Sequence, residues 1–192
     1  MGRRSLKAER REQILEAFEA CVAEHGLEGT TLERVAEYAG LGRPAIRHNV
    51  GNREALIDAA LDRIILRHEA AYADITKALP RTQRVQALSQ YLFTGGFTGE
   101  PDAEDALLDE LFALRHRDPL IAKRLDLMYR RFQRTIAREL ERETEASRSE
   151  CNRVAYLIMV LAYGHSTFCG LGPGKRRGTV CREHALALVA EL

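Results

Sequence analysis

The chain has 192 residues, 45% of them hydrophobic, and its 29 basic and 28 acidic side chains leave a formal charge of +1. That is the composition of a soluble globular protein with room for one or two small units, each with its own core, and the overall charge selects no partner. A secretory signal is excluded because Glu12, Glu16 and Glu19 interrupt any apolar h-region. A membrane span is excluded because the longest apolar run, Val154 to Tyr163, falls far below the ~20 residues a helix needs to cross a bilayer.

From the N-terminus, Met1 to Arg11 holds Arg3, Arg4, Lys7, Arg10 and Arg11 against a lone Glu9, a basic arm ahead of the first apolar pair, Ile14 and Leu15. Such an arm reads either as a solubilising tail or as a reach into a groove of a nucleic acid. Ile14, Phe18, Cys21 and Val22 recur at helical spacing, predicting a helix from Leu6 to Glu24 that His25-Gly26 closes. Thr30 to Glu33 offers a capping box for a short helix whose buried face is Leu32, Val35, Ala36 and Ala39, and Gly40 ends it. Pro44 suits the first turn of a two-turn helix with Ile46 and Val50 inward. Beyond Asn52, apolar residues from Leu56 to Ile65 carry a longer helix toward Leu79, and Pro80 stops it.

The rest also reads as helix, with no strand alternation. Val85, Leu88, Leu92 and Phe93 lead to Gly95-Gly96, and Pro101 starts a helix through Leu107, Leu108, Leu111 and Leu114. Asp118-Pro119 opens a helix with the stripe Ile121, Leu125, Met128, Phe132, Ile136 and Leu140, with Arg130, Arg131, Arg134 and Arg138 mostly off it. Cys151 to Leu171 is apolar on most sides, Gly170 to Gly178 reads as a basic loop, and a last amphipathic helix ends at Leu192. The expected fold is all-α. Two helical units are expected, residues 1–53 with the basic arm and residues 54–192.

The segment LGRPAIRHNVGNREAL, residues 41–56, gathers Arg43, Arg47, His48 and Arg53 before its first acid, Glu54. Ala36, Gly40 and Ile46 have the spacing of a helix-turn-helix. The small residue lets two helices approach, glycine makes the turn, and the aliphatic side chain anchors the second helix. Arg43, Ala45, Arg47, His48 and Asn49 are left for its outer face. There Arg can grip guanine and Asn adenine in the major groove. Thr30 or Thr31 at one helix start, and Arg53 at the next, suit phosphate contacts.

With these residues in view, the chain resembles the TetR family of bacterial transcription regulators over residues 10–61. A helix ends in Glu24-His25-Gly26, TTLERVAEYAGLGRPAIRHNV follows, and Arg53-Glu54-Ala55-Leu56 stands for the family's Lys-Glu-x-Leu. The resemblance implies DNA contacts from Thr31, Arg43, Pro44, Ala45, Arg47, His48, Asn49 and Arg53. Arg47 occupies the usual tyrosine, Asn49 the usual histidine and Val50 the usual phenylalanine, so the aromatic end of the recognition helix is missing and Arg47 becomes a candidate base reader. A homodimeric cytoplasmic repressor is implied, holding two recognition helices on a near-palindromic double-stranded operator and released by a small effector. In the family the last two helices make the dimer face, here expected to include Tyr163, Leu186, Val189 and Leu192.

A lipophilic effector is expected in the second domain, with Phe93, Phe97, Phe112, Met128, Phe132, Tyr156, Met159 and Tyr163 as candidate pocket residues, core packing being the competing role for each. The alternative signal is a metal or thiol, because His165 and Cys169 share one helical face and Cys181 and His184 another; a buried cysteine and a helix-end histidine are the plainer reading, so no metal site and no cofactor are expected. A helical-bundle enzyme is the opposing class. It has no support: Gly164-His165-Ser166-Thr167-Phe168 lacks the closing glycine and preceding strand of a hydrolase elbow, and no nucleophile-base pair is found.

Overall fold

The computed structural model describes residues 3–94, 102–169 and 175–192, and every regular element among them is helical. In chain order these are α1 (Arg3–Gly29), α2 (Leu32–Tyr38), α3 (Arg43–Asn49), α4 (Arg53–Ala78), α5 (Arg84–Thr94), α6 (Ala103–Leu114), α7 (Pro119–Glu143), α8 (Arg148–Cys169) and α9 (Lys175–Ala190). They form two compact units, Met1–Arg67 with Pro101–Leu125, and His68–Glu100 with Asp126–Leu192. The sequence reading divides the chain at residue 53, whereas the compact units divide α4 after Arg67 and return α6 to the first unit. The reason is that α6 packs along α1, and compactness follows which apolar faces meet rather than chain order.

In the first unit, Ile14, Leu15, Phe18, Cys21 and Val22 line the buried side of α1. The helix starts at Arg3, ahead of the expected Leu6, and continues to Gly29 across a break at Gly26. Gly26 has φ +67°, a left-handed conformation that disfavours any side chain. The cap of α2 is one residue later than expected: the Thr31 hydroxyl accepts from the Arg34 N–H at 3.3 Å. Thr30 is buried, and its hydroxyl donates to the Gly26 carbonyl at 2.8 Å. The turn into α3 passes through Gly40 at φ +61°. Ile46, fully buried, anchors α3, and cutting such a side chain to alanine costs about 2–5 kcal/mol. Asn52 caps α4, its Oδ1 accepting from the Ala55 N–H at 2.9 Å.

The same unit holds a buried ionic hub. Arg63 of α4 reaches Glu12, Glu16 and Glu19 of α1 at 2.9, 3.1 and 3.1 Å. Arg67 pairs with Glu19 at 3.3 Å and with Glu104 of α6 at 2.7 Å. Burial pushes the Glu19 carboxyl above its ordinary range, with Arg63 and Arg67 pulling it back. Such a hub ties α1, α4 and α6 together, and removing one partner leaves a buried charge uncompensated.

In the second unit, the core joins Val85, Leu88, Leu92 and Phe93 of α5 to Phe132, Ile136 and Leu140 of α7 and to the inner side of α8. All six residues of the expected α7 stripe are buried. Helix α9 begins at Lys175, inside the segment read as a loop to Gly178. A Cβ at Gly178 would collide with the Phe93 carbonyl and meet His165 Nε2 at 3.0 Å, so glycine here permits a close helix crossing rather than marking a turn. Gly95-Gly96 and Pro101 lie outside the described residues.

Candidate nucleic-acid interface

Helix α3 begins at Arg43 with Pro44 in its first turn, where a missing N–H is harmless, and ends at Asn49. With Ile46 and Val50 buried, Arg43, Pro44, Arg47 and His48 are exposed and Ala45 and Asn49 partly so. The helix carries no acid. Arg43 is nevertheless paired: its Nη1 lies 2.7 Å from Glu33 of α2. The Glu33 carboxyl is held below its ordinary range, first by its own backbone N–H and also by Arg43. The Asn49 amide donates one N–H to the Ala45 carbonyl at 2.8 Å, leaving its side-chain oxygen and its second N–H available.

The flanks are tied down. Arg53 Nη2 donates to the Leu27 carbonyl at 2.7 Å, closing the end of α1 from the start of α4. Tyr38 of α2 donates to the Glu24 carboxylate and faces His25 Nε2 at 3.1 Å. That bond to Glu24 pushes its hydroxyl up to about 12. Beside α3 runs a cleft of 910 Å³, whose other wall brings Lys7, Arg10 and Arg11 of α1 against Pro44 and His48. The basic arm is therefore helical from Arg3 and flanks α3, a placement its charge alone did not reveal. Thr31 is exposed at the α2 start, while Thr30 faces the interior.

The residues expected around an effector are scattered. Phe112 belongs to α6 of the first unit, and Phe93, Phe132 and Met159 fill the second unit's core. Met128 is also buried, whereas Tyr156 is 52% exposed. Tyr163 meets the Tyr129 ring edge-on at 5.5 Å, and Phe97 lies outside the described residues. Val189 and Leu192, expected at a dimer face, pack on the second unit's own core, and Leu186 is partly buried. Among the described residues of α8 and α9, the large apolar side chains that stay exposed are Tyr156, Leu157, Val160 and Phe168 of α8 and Val180 of α9.

Among the described residues no group of three or more His, Cys, Asp or Glu is arranged to hold a metal. His165 and Cys181 line an apolar cleft of 630 Å³, the His184 ring meets its own helix at the Val180 carbonyl, and the Cys169 side chain lies outside what is described. No helix among those residues is long and apolar enough to cross a membrane.

The fold and this surface define an all-helical protein with an N-terminal helix-turn-helix. Residues 14–60 match the family described as bacterial regulatory proteins, tetR family. Over 46 residues the chain is 48% identical to the HTH-type transcriptional repressor AcnR of Corynebacterium efficiens, covering 24% of each chain. It is 29% identical over 85 residues to the HTH-type transcriptional regulator BetI of Burkholderia thailandensis, covering 41% of this chain and 44% of that one. The matched segment thus spans about a quarter to under half the length of these relatives. Among solved structures, a TetR transcription regulator from Haloarcula marismortui superposes with a TM-score of 0.79 at 16% identity, covering 96% of this chain and 98% of that one. Salmonella enterica GusR gives 0.74 at 21% identity, covering 95% and 96%. The family model thus covers residues 14–60, and the likeness to the superposed structures is one of fold.

Proposed function

We propose that the protein is a cytoplasmic transcriptional repressor, not an enzyme, that binds a near-palindromic DNA operator as a homodimer and is released by a small effector. The observation that carries this reading is α3 itself: a short, acid-free helix anchored by buried Ile46, presenting Arg43, Arg47 and His48 outward with Lys7, Arg10 and Arg11 alongside. A helix of that kind suits the major groove, where arginine can contact guanine and the flanking cations can neutralise phosphates. Residues 1–53 supply DNA contacts from Thr31, Arg43, Pro44, Ala45, Arg47, His48, Asn49 and Arg53, and residues 54–192 supply dimerisation and effector binding. The matches to proteins named as a transcriptional repressor and a transcriptional regulator support the same reading.

The dimer face is assigned to the exposed apolar side of α8, from Tyr156 to Phe168, together with Val180 of α9. An apolar strip of that kind on a small subunit favours an isologous contact with a second copy. Selection of bound duplexes from a randomised library, followed by anisotropy titrations over a range of salt, tests the function. A two-fold-symmetric motif is the expected outcome. Salt-dependent binding without any enriched sequence would rule out a specific operator.

A further inference from the structure

A groove of 560 Å³ runs in the second unit between α4, from Glu69 to Lys77, and α7, from Arg131 to Arg142. That volume is in the range of small-molecule pockets. Its walls are charged rather than apolar, with Lys77, Arg131, Arg134, Arg138 and Arg142 set against Glu69 and Glu139. Both acids are already engaged. Glu69 pairs with Arg131, while Glu139 accepts from Arg84 at 2.5 Å and from Arg142 at 2.8 Å. Lys77 has the exposed Asp74 at 3.3 Å.

Arg134 and Arg138 remain, four residues apart on the groove side of α7 and without an acidic partner among the described residues. Like charges at that spacing repel along a helix. By contrast, Arg130 outside the groove has Asp126 four residues earlier, at 2.8 Å. Two guanidinium forks side by side can each take two oxygens of one anionic group, and an anion between them would replace their repulsion with charge-assisted hydrogen bonds. Tyr72, stacked on Phe132 at 4.7 Å, gives the groove one rigid apolar surface.

We propose that this groove is the effector site and that its ligand is a small organic dianion, carrying carboxylate or phosphate groups that Arg134 and Arg138 hold. The effector role rests on the repressor reading above; the anion site does not. A lipophilic effector is disfavoured here, because it would strip water from the arginines and return no hydrogen bond.

Succinate and pyrophosphate serve as probes of the two anion chemistries, titrated calorimetrically into the full-length protein at constant ionic strength. At least one is expected to bind with single-site stoichiometry. The double variant Arg134→Gln/Arg138→Gln should weaken binding by about tenfold or more. Thermal unfolding and unliganded operator binding of that variant should match the wild-type protein, showing that it is folded. The probe that binds should release operator from the wild-type protein and not from the variant. Binding of neither probe, or equal binding to the variant, would overturn the site. Binding without operator release would overturn the effector role alone. A variant that loses operator affinity without any probe present would instead make the arginines part of a nucleic-acid surface and overturn the proposal.

Discussion

Arg43 of α3 lies 2.7 Å from Glu33 of α2, so the leading cation of α3 is matched by an acid on the neighbouring helix. Both side chains are half exposed, and the pair therefore adds little to stability; its consequence is for the charge presented to a phosphate backbone. Replacing Glu33→Gln should raise affinity for DNA of any sequence by about two- to fivefold and steepen the salt dependence. The Glu33 carboxyl is depressed, so it stays ionised near neutrality, and the wild-type protein should approach the variant only as pH falls through that lowered value. Anisotropy titrations at several pH values test this, and equal affinity of the two proteins near neutrality would count against it.

Arg53 has two roles that a single variant separates by readout. Its bond to the Leu27 carbonyl closes α1, so Arg53→Ala should cost about 0.5–1.5 kcal/mol in denaturant unfolding. If its remaining donors also meet a phosphate, the same variant should weaken binding to all duplexes alike and flatten the salt slope by about one unit. A loss confined to the operator would instead make it a base reader.

Arg47 is exposed near the middle of α3, with no ion pair among the described residues. Arg47→Ala should lower discrimination at one base-pair position by ~1–3 kcal/mol while leaving the others intact. Testing single-base operator variants decides between this and uniform weakening, the mark of a phosphate anchor.

The exposed strip on α8 places the decisive dimer substitution at Val160, which is 46% exposed, rather than at Leu186. Val160→Asp should give a folded monomer in sedimentation and lower affinity for a full operator by roughly two to four orders of magnitude, since the two half-sites are then bound separately. Persistence of the dimer in this variant would move the interface elsewhere.

The Arg63 hub should be the most sensitive polar position in the first unit. Arg63→Met leaves the Glu19 carboxyl buried without its principal partner and should cost about 3–5 kcal/mol. Because burial raises the Glu19 carboxyl, the folded chain holds that proton more tightly than the unfolded one, and this group's contribution falls as pH rises from the ordinary carboxylate range through the raised value. Glu19→Gln should therefore gain stability relative to wild type across that window, as read by unfolding at stepped pH.

Helices and their inward faces were written locally. The stripe from Ile121 to Leu140 predicts α7 because 3.6-residue periodicity needs no knowledge of the partner, and all six of its residues are buried. The spacing of Ala36, Gly40 and Ile46 likewise specifies the helix-turn-helix, since a tight turn between short helices depends on residues within one dozen positions. Local capping signals are less decisive: adjacent Thr30 and Thr31 both fit a cap, and only the course of the chain at Gly26 turns Thr30 inward and leaves the cap to Thr31. Gly178 read as loop because glycine is equally suited to a turn and to a close helix crossing, which only the position of α5 distinguishes.

The sequence by itself thus determined an all-helical chain, the helix-turn-helix and the cations on α3, because helical periodicity and turn chemistry are properties of neighbouring residues. Tertiary structure decided how those charges are spent. Arg53 meets Leu27 across 26 positions, Arg63 meets Glu16 across 47, and Arg84 meets Glu139 across 55. Pairings at such separations arise only once the apolar faces have packed, since an ion pair is far too weak to close so long a loop unaided. The same packing sets α6 against α1 and opens the arginine groove between α4 and α7, where the arginines that the α7 pattern leaves off its buried stripe acquire a shared ligand-sized space.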